Sequence, residues 1–126
     1  DADGVHVGQS DIDATSVRKL IGEDKIIGVS ARTVKEAKQA KKDGADYLGI
    51  GAMFSTSTKL DAKDVSFNTL NEIIDEVEMP FVLIGGINLD NVHKLKQFNP
   101  EGYALVSGIL GAEDIVSRVK LWKNEI

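Results

Sequence analysis

The sequence predicts an α/β protein made of repeating strand–helix units on a parallel sheet. Three observations carry that prediction. Short, almost continuously apolar runs alternate with amphipathic stretches along the whole chain, as expected for strands buried on both faces and joined by crossover helices. The runs start at residues 4, 25, 47, 81 and 103, about every 22 residues with one wider interval, which is the size of a βα unit. No low-complexity linker or charge block divides the 126 residues, so one domain with a real core is expected.

The strand candidates are Gly4–Val7, Lys25–Val29, Tyr47–Ile50, Phe81–Ile84 and Tyr103–Val106. Between them, Ala14–Ile21 sets Val17, Leu20 and Ile21 on one side. Thr33–Lys42 opens with Thr33-x-x-Glu36, a capping-box spacing in which each side chain can take the other residue's free N–H. Phe67–Val77 presents Leu70, Ile73, Ile74 and Val77 at helical spacing. Asn88–Phe98 begins with a good capping residue and predicts a helix burying Leu89, Val92, Leu95 and Phe98. Ala112–Trp122 offers Ile115, Val116, Val119 and Trp122. Such a repeat fits either an open doubly wound sheet or a closed barrel, and both put ligands at the C-terminal ends of the strands. The residues that widen one interval fall in the loop Gly51–Val65, just past a strand.

Composition narrows the chemistry. Apolar residues make up 42% and charged residues 28%, the profile of a soluble globular protein. A net charge of −5 argues against nucleic acid and anionic lipid as partners, though a local cationic site for a small anion remains open. The absence of cysteine excludes a disulfide scaffold, a thiolate zinc site and a cysteine nucleophile. Two histidines make a poly-His metal site a poor candidate. Apolar runs fall far short of the roughly 20 residues needed to span a bilayer, and no charged-then-apolar leader opens the chain; a cytoplasmic location is the default expectation. The opening Asp1-Ala2-Asp3-Gly4 reads as a loop entering a strand, an odd start for an intact domain.

Five candidate features follow strand ends. Gly85-Gly86 lets the backbone approach a ligand with its N–H groups, or simply makes a tight turn. Val106-Ser107-Gly108 offers a hydroxyl and backbone N–H groups after the last strand; as a pair, these two turns match the phosphate site built by the last two loops of a barrel. Thr56-Ser57-Thr58-Lys59 sets three hydroxyls beside an ammonium, suited to phosphoryl oxygens, or forms a polar surface loop. Asp11 is placed to hold Mg²⁺, yet one carboxylate seldom makes a magnesium site without phosphate oxygens and water, and local sequence favours it as a helix N-cap. Ser30 ends a strand on the same rim, where turn chemistry before Thr33 is the alternative. His6 fits simple packing and is not assigned as a base.

Taken together, Asp3-Gly4-Val5-His6-Val7-Gly8-Gln9-x-Asp11, Ile27-Gly28-Val29-Ser30, Gly44-Ala45-Asp46-Tyr47-Leu48-Gly49-Ile50-Gly51, Thr56-x-Thr58-Lys59, Ile84-Gly85-Gly86-Ile87 and Val106-Ser107 resemble the thiamine-phosphate synthase family in order and spacing over nearly the whole chain. The resemblance implies a (β/α)8 TIM-barrel fold of which residues 1–126 supply the C-terminal part, about five βα units, with three further units upstream in the family. Those units carry a Gln-x-Arg-x-Lys-type diphosphate clamp and an Asn-Asp pair that adds a metal ligand. It implies coupling of hydroxymethylpyrimidine diphosphate to a thiazole phosphate with release of pyrophosphate, and Mg²⁺ as cofactor through Asp11. Ser30 and Lys59 are implied to contact the pyrimidine diphosphate and to carry catalysis. Thr56, Ser57, Thr58, Gly86, Val106 and Ser107 are implied to contact the thiazole phosphate. Family members usually carry Pro after Gly51, where this chain has Ala52-Met53-Phe54. A thiazole tautomerase of the same fold is the nearest rival, against which Gln9-x-Asp11 and Thr56-x-Thr58-Lys59 weigh. A non-catalytic phosphate-binding remnant is the other. An incomplete barrel would be inactive alone, and its readings include a disordered or cleaved N-terminal half, a fragment, and a half-barrel that pairs with itself as a homo-oligomer.

Overall fold

The computed structural model describes residues 1–54 and 64–126. Five parallel strands form one sheet: β1 (Gly4–Val7), β2 (Ile26–Ala31), β3 (Tyr47–Ile50), β4 (Phe81–Ile84) and β5 (Gly102–Ala104). Their order in space is their order in sequence, and every neighbouring pair is parallel. A doubly wound sheet reverses its order at a switch point. A sequential order without reversal is that of a barrel wall, so the sheet is an arc of a (β/α) barrel.

Side chains alternate across each strand. Val7, Ile27, Val29, Ala31, Leu48, Ile50, Phe81 and Leu83 are buried on one face. They meet Ala14 and Val17 of α1 (Ala14–Ile21), Ala37 and Ala40 of α2 (Val34–Lys42), and Leu70, Ile73 and Val77 of α3 (Phe67–Val77). Each large side chain so removed from water stabilises the fold by about 1.5–3 kcal/mol. The other face, the inner wall of the arc, carries His6, Gly28, Ser30, Tyr47 and Gly49, and leaves Ile26 and Ile84 52% and 37% exposed.

Caps follow the chemistry of their residues. Asp13, Thr33, Ser66 and Asp114 each accept the N–H three residues on and open α1, α2, α3 and α5 (Ile115–Glu125). Glu36 closes the box at α2 one residue early: its carboxylate takes the N–H of Arg32, at 2.7 Å, and not that of Thr33. At the N-terminal ends of the strands, the Arg18 guanidinium meets the carbonyls of Gly22, Lys25 and Gly44 and the Asp46 carboxylate, which also accepts the Ile27 N–H at 2.7 Å.

Several expectations are corrected. Asn88–Phe98 is not an α-helix but two 3-10 turns, Val92–Lys94 and Lys96–Phe98, ended by Asn99 at φ 50°. The Asn88 and Asn91 side chains exchange bonds with each other's backbone N–H and hold a tight turn there. The expected face still goes inward, with Val92 and Leu95 fully buried. The second strand reaches Ala31, and the fifth ends at Ala104, so Val106 is the N-cap of a four-residue helix α4 (Ser107–Leu110). Leu20 is 75% exposed, and α1 is seated through Ala14, Val17 and Ile21 instead. On α5 only Trp122 is buried, while Ile115 and Val116 face outward.

Candidate functional site

Because all strands run the same way, the segments after β1, β2, β3, β4 and β5 share one rim of the sheet. Asp11 follows β1, Ser30 is the penultimate residue of β2, Gly86 follows β4, and Val106 and Ser107 follow β5. Four of the five strand-end features are therefore on one rim. Thr56, Ser57, Thr58 and Lys59 lie outside the described residues.

The first two loops interlock. Asp11 is not a helix cap: Asp13 has that role, and Asp11 Oδ2 accepts the Gly8 N–H at 2.7 Å, closing a turn in which the Asp11 N–H donates to the Gly8 carbonyl. Gln9 Nε2 donates to the Ser30 carbonyl at 2.6 Å, tying this turn to β2. Ser30 Oγ is 2.9 Å from His6 Nε2, and His6 Nδ1 is 2.9 Å from the Tyr47 hydroxyl. Ser30 is thus part of a side-chain network on the inner wall as well as a strand-end residue.

Glycines make room for that network. The register sets His6 opposite Gly28, Gly28 opposite Tyr47, and Ser30 opposite Gly49. A Cβ on Gly28 would fall well under 3.0 Å from both the Tyr47 ring and His6 Nδ1, and one on Gly49 would be 2.8 Å from His6 Cε1. His6 is exposed on the open inner wall, but its neighbours cover part of the ring, and this partial desolvation lowers its pKa below the ordinary value.

The later loops form a second interlocked group. Segment 52–54 zips onto the end of β4 through Met53 N–H to Ile84 O, 3.0 Å, and Phe54 N–H to Gly85 O, 3.1 Å, just after a cis Gly51–Ala52 peptide. Gly85 and Gly86 adopt φ of 96° and 63°, and a Cβ on Gly86 would collide with the Phe54 carbonyl. The tight-turn reading of this glycine pair holds: the positive φ values and the neighbouring Ala52 and Phe54 leave no room for a Cβ. A Cβ on Gly108 would sit 3.0 Å from the Ile87 carbonyl, so the loops after β4 and β5 touch. Trp122 Nε1 and Arg118 both donate to Gly108 O at 3.1 Å and hold the last loop from behind.

The family model described as "Thiamine monophosphate synthase" matches residues 1–109. The chain belongs to the thiamine monophosphate synthase family. Across its full length it is 66% identical to a thiamine-phosphate synthase of Clostridioides difficile (strain 630), covering 60% of that protein. It is 51% identical over 114 residues to one from Methanobrevibacter smithii, covering 90% of this chain and 54% of the other. A solved thiamine phosphate pyrophosphorylase from Pyrococcus furiosus superposes with a TM-score of 0.88 at 36% identity, over 98% of this chain and 58% of that one. A 3-hexulose-6-phosphate synthase structure, TM-score 0.74 at 20% identity, shares the fold. The chain spans about 60% of the length of the curated relatives it matches.

Asp11 carries the kind of donor a magnesium ion takes. It offers a hard carboxylate on the rim with one oxygen already engaged by Gly8. Among the described residues no group of three or more His, Cys, Asp or Glu gathers to hold an ion. Asp11 fits a magnesium site as one ligand of a shell completed by phosphate oxygens and water. Among the described residues no helix is long and apolar enough to cross a membrane. From sequence, His6 reads as packing and Gln9 and Tyr47 only as parts of the family motifs, so none of the three is assigned a place in the site. The available signal was a glycine inside each of two strands, at Gly28 and Gly49, which marks a close approach by other groups.

Proposed function

We propose that this chain is the C-terminal part of a single thiamine-phosphate synthase barrel, with the first three βα units supplied outside residues 1–126, and that it couples hydroxymethylpyrimidine diphosphate to a thiazole phosphate. The observation that carries the reading is the common rim: Asp11, Ser30, Gly86, Val106 and Ser107 all sit at the C-terminal ends of parallel strands, in a family member with a 66% identical relative of that name. In the reaction, the bond between the pyrimidine methylene and the diphosphate breaks. Its electron pair leaves with pyrophosphate, and the thiazole nitrogen forms the new C–N bond with the resulting cation. Ser30 and Lys59 act on the diphosphate, where stabilising developing negative charge lowers the barrier most. The touching loops at Gly86 and Val106-Ser107, with Thr56, Ser57 and Thr58, hold the thiazole phosphate and so aim its nitrogen. Asp11 would hold Mg²⁺, which when bound neutralises charge on the diphosphate. The net charge of −5 weighs against nucleic acid as a partner, and small-molecule ligands and a cytoplasmic location are part of the same proposal.

The test is an assay of both substrates with Mg²⁺. Thiamine phosphate and pyrophosphate formation supports the synthase. Isomerisation of the thiazole alone supports a tautomerase, and binding without turnover supports a remnant. In the full-length protein, Lys59→Ala should lower turnover at least ~10²-fold; unchanged kinetics would remove Lys59 from the mechanism.

A further inference from the structure

We infer that Tyr47 and His6 are positioning residues that orient the Ser30 hydroxyl, forming a directed hydrogen-bond chain Tyr47 O–H to His6 Nδ1, His6 Nε2–H to Ser30 Oγ, with the Ser30 hydrogen left pointing to the rim for an anionic oxygen. This rests on the reading of Ser30 as a diphosphate contact.

The geometry restricts the chain to two directions. Both links are 2.9 Å, and a neutral imidazole has one N–H and one bare nitrogen. In one direction Ser30 donates to His6, His6 donates to Tyr47, and Ser30 faces the rim with lone pairs only. Such a serine would repel a phosphate oxygen. In the other direction Tyr47 donates to His6 and His6 to Ser30, and the Ser30 hydrogen is free. A phenol is the stronger donor of the two hydroxyls at the ends, which favours this second direction. Partial burial of the ring disfavours its charged form, in the sense that the neutral ring of both directions requires.

The surroundings are built for the chain and not for packing alone. Gly28 and Gly49 stand in the ladder where a Cβ would strike the rings. The His6 and Tyr47 rings approach with centroids 5.4 Å apart and planes tilted 43°. From its other side, Gln9 anchors the Ser30 carbonyl, so the serine backbone is fixed while the imidazole fixes its hydroxyl. The two rings meet the rim residue Ser30 through this chain of hydrogen bonds, and the inference concerns that positioning role.

The first test needs no substrate. Imidazole nitrogen chemical shifts of this chain, labelled at histidine, should report His6 protonated on Nε2 and bare on Nδ1. Protonation on Nδ1 would overturn the inference. The second test is kinetic, on the full-length protein. Ser30→Ala should reduce turnover. Tyr47→Phe and His6→Leu should each cost about tenfold in kcat with little change in KM for the thiazole phosphate, while His6→Gln, whose amide can still donate to Ser30, should recover most of the loss. In the Ser30→Ala background, Tyr47→Phe should add less than about twofold. If Ser30→Ala is harmful but the Tyr47→Phe loss persists undiminished in that background, the chain is refuted while the reading of Ser30 stands. If Ser30→Ala is harmless, the reading of Ser30 itself fails.

Discussion

Replacing Gly28 by Ala tests whether the inner wall is packed around its side-chain network. A Cβ at this position would lie well under 3.0 Å from the Tyr47 ring and His6 Nδ1, where ordinary carbon contacts need ~3.5–4.0 Å. The rings must therefore retreat by roughly 1–2 Å, which no 2.9 Å hydrogen bond survives in place. Overpacking of this kind costs about 1–3 kcal/mol. With a urea dependence of about 1–3 kcal/mol per molar, the unfolding midpoint should fall by roughly 1 M. Gly102 supplies the control on the same face of the sheet. Its nearest neighbour to an added Cβ is Val82 Cγ1 at 3.9 Å, an ordinary contact, and Gly102→Ala should be neutral or stabilise by up to about 1 kcal/mol through the unfolded chain. Urea unfolding of both variants, followed by circular dichroism, decides the matter. Equal midpoints for Gly28→Ala and Gly102→Ala would refute the claim that His6 and Tyr47 are locked over Gly28.

Three further outcomes are expected. Glu78 ends α3 at φ 48°, a conformation that costs a non-glycine residue about 1–2 kcal/mol, so Glu78→Gly should raise the urea midpoint; a lower midpoint would contradict that. Burial opposes ionisation of Asp46, but the Ile27 N–H and the Arg18 guanidinium outweigh it and hold its carboxyl below the ordinary range. Its contribution to stability is therefore full above the unfolded value of about 3.9 and is lost as pH falls through the lower native value. Asp46→Asn should destabilise at neutral pH and flatten the midpoint against pH below about 4; an unchanged slope would refute the assignment. The His6 shift has the opposite consequence for its charge. With a lowered native pKa, the unfolded chain binds the extra proton first, so stability declines as pH falls below about 6.5, and His6→Gln should remove that decline between pH 6.5 and 5.

The sheet was legible because its strands are apolar runs that only a two-faced burial explains, and four of five helices were located, α2 from its Thr33-x-x-Glu36 cap and the others from apolar residues at helical spacing such as Leu70, Ile73, Ile74 and Val77. The segment after β4 failed as an α-helix for a reason visible in hindsight. Leu89, Val92, Leu95 and Phe98 are spaced by three throughout, the period of a 3-10 turn and not of an α-helix. Exposed apolar residues on α5 could not be told from core ones, since periodicity marks a face and not what covers it. At the site, rim positions followed from strand ends alone. Side-chain partners did not, because the His6–Ser30 and His6–Tyr47 links join residues 24 and 41 apart in sequence. Gly86→Val would collide with the Phe54 carbonyl and so report on folding and not on phosphate binding.

The chain's one tryptophan is 2% exposed and hydrogen-bonded to the carbonyl of Gly108, next to Val106 and Ser107. An indole so attached is a resident optical reporter. Any anion that settles against that loop must tug on the acceptor of the Trp122 N–H, and the emission of unlabelled protein should record its arrival in real time.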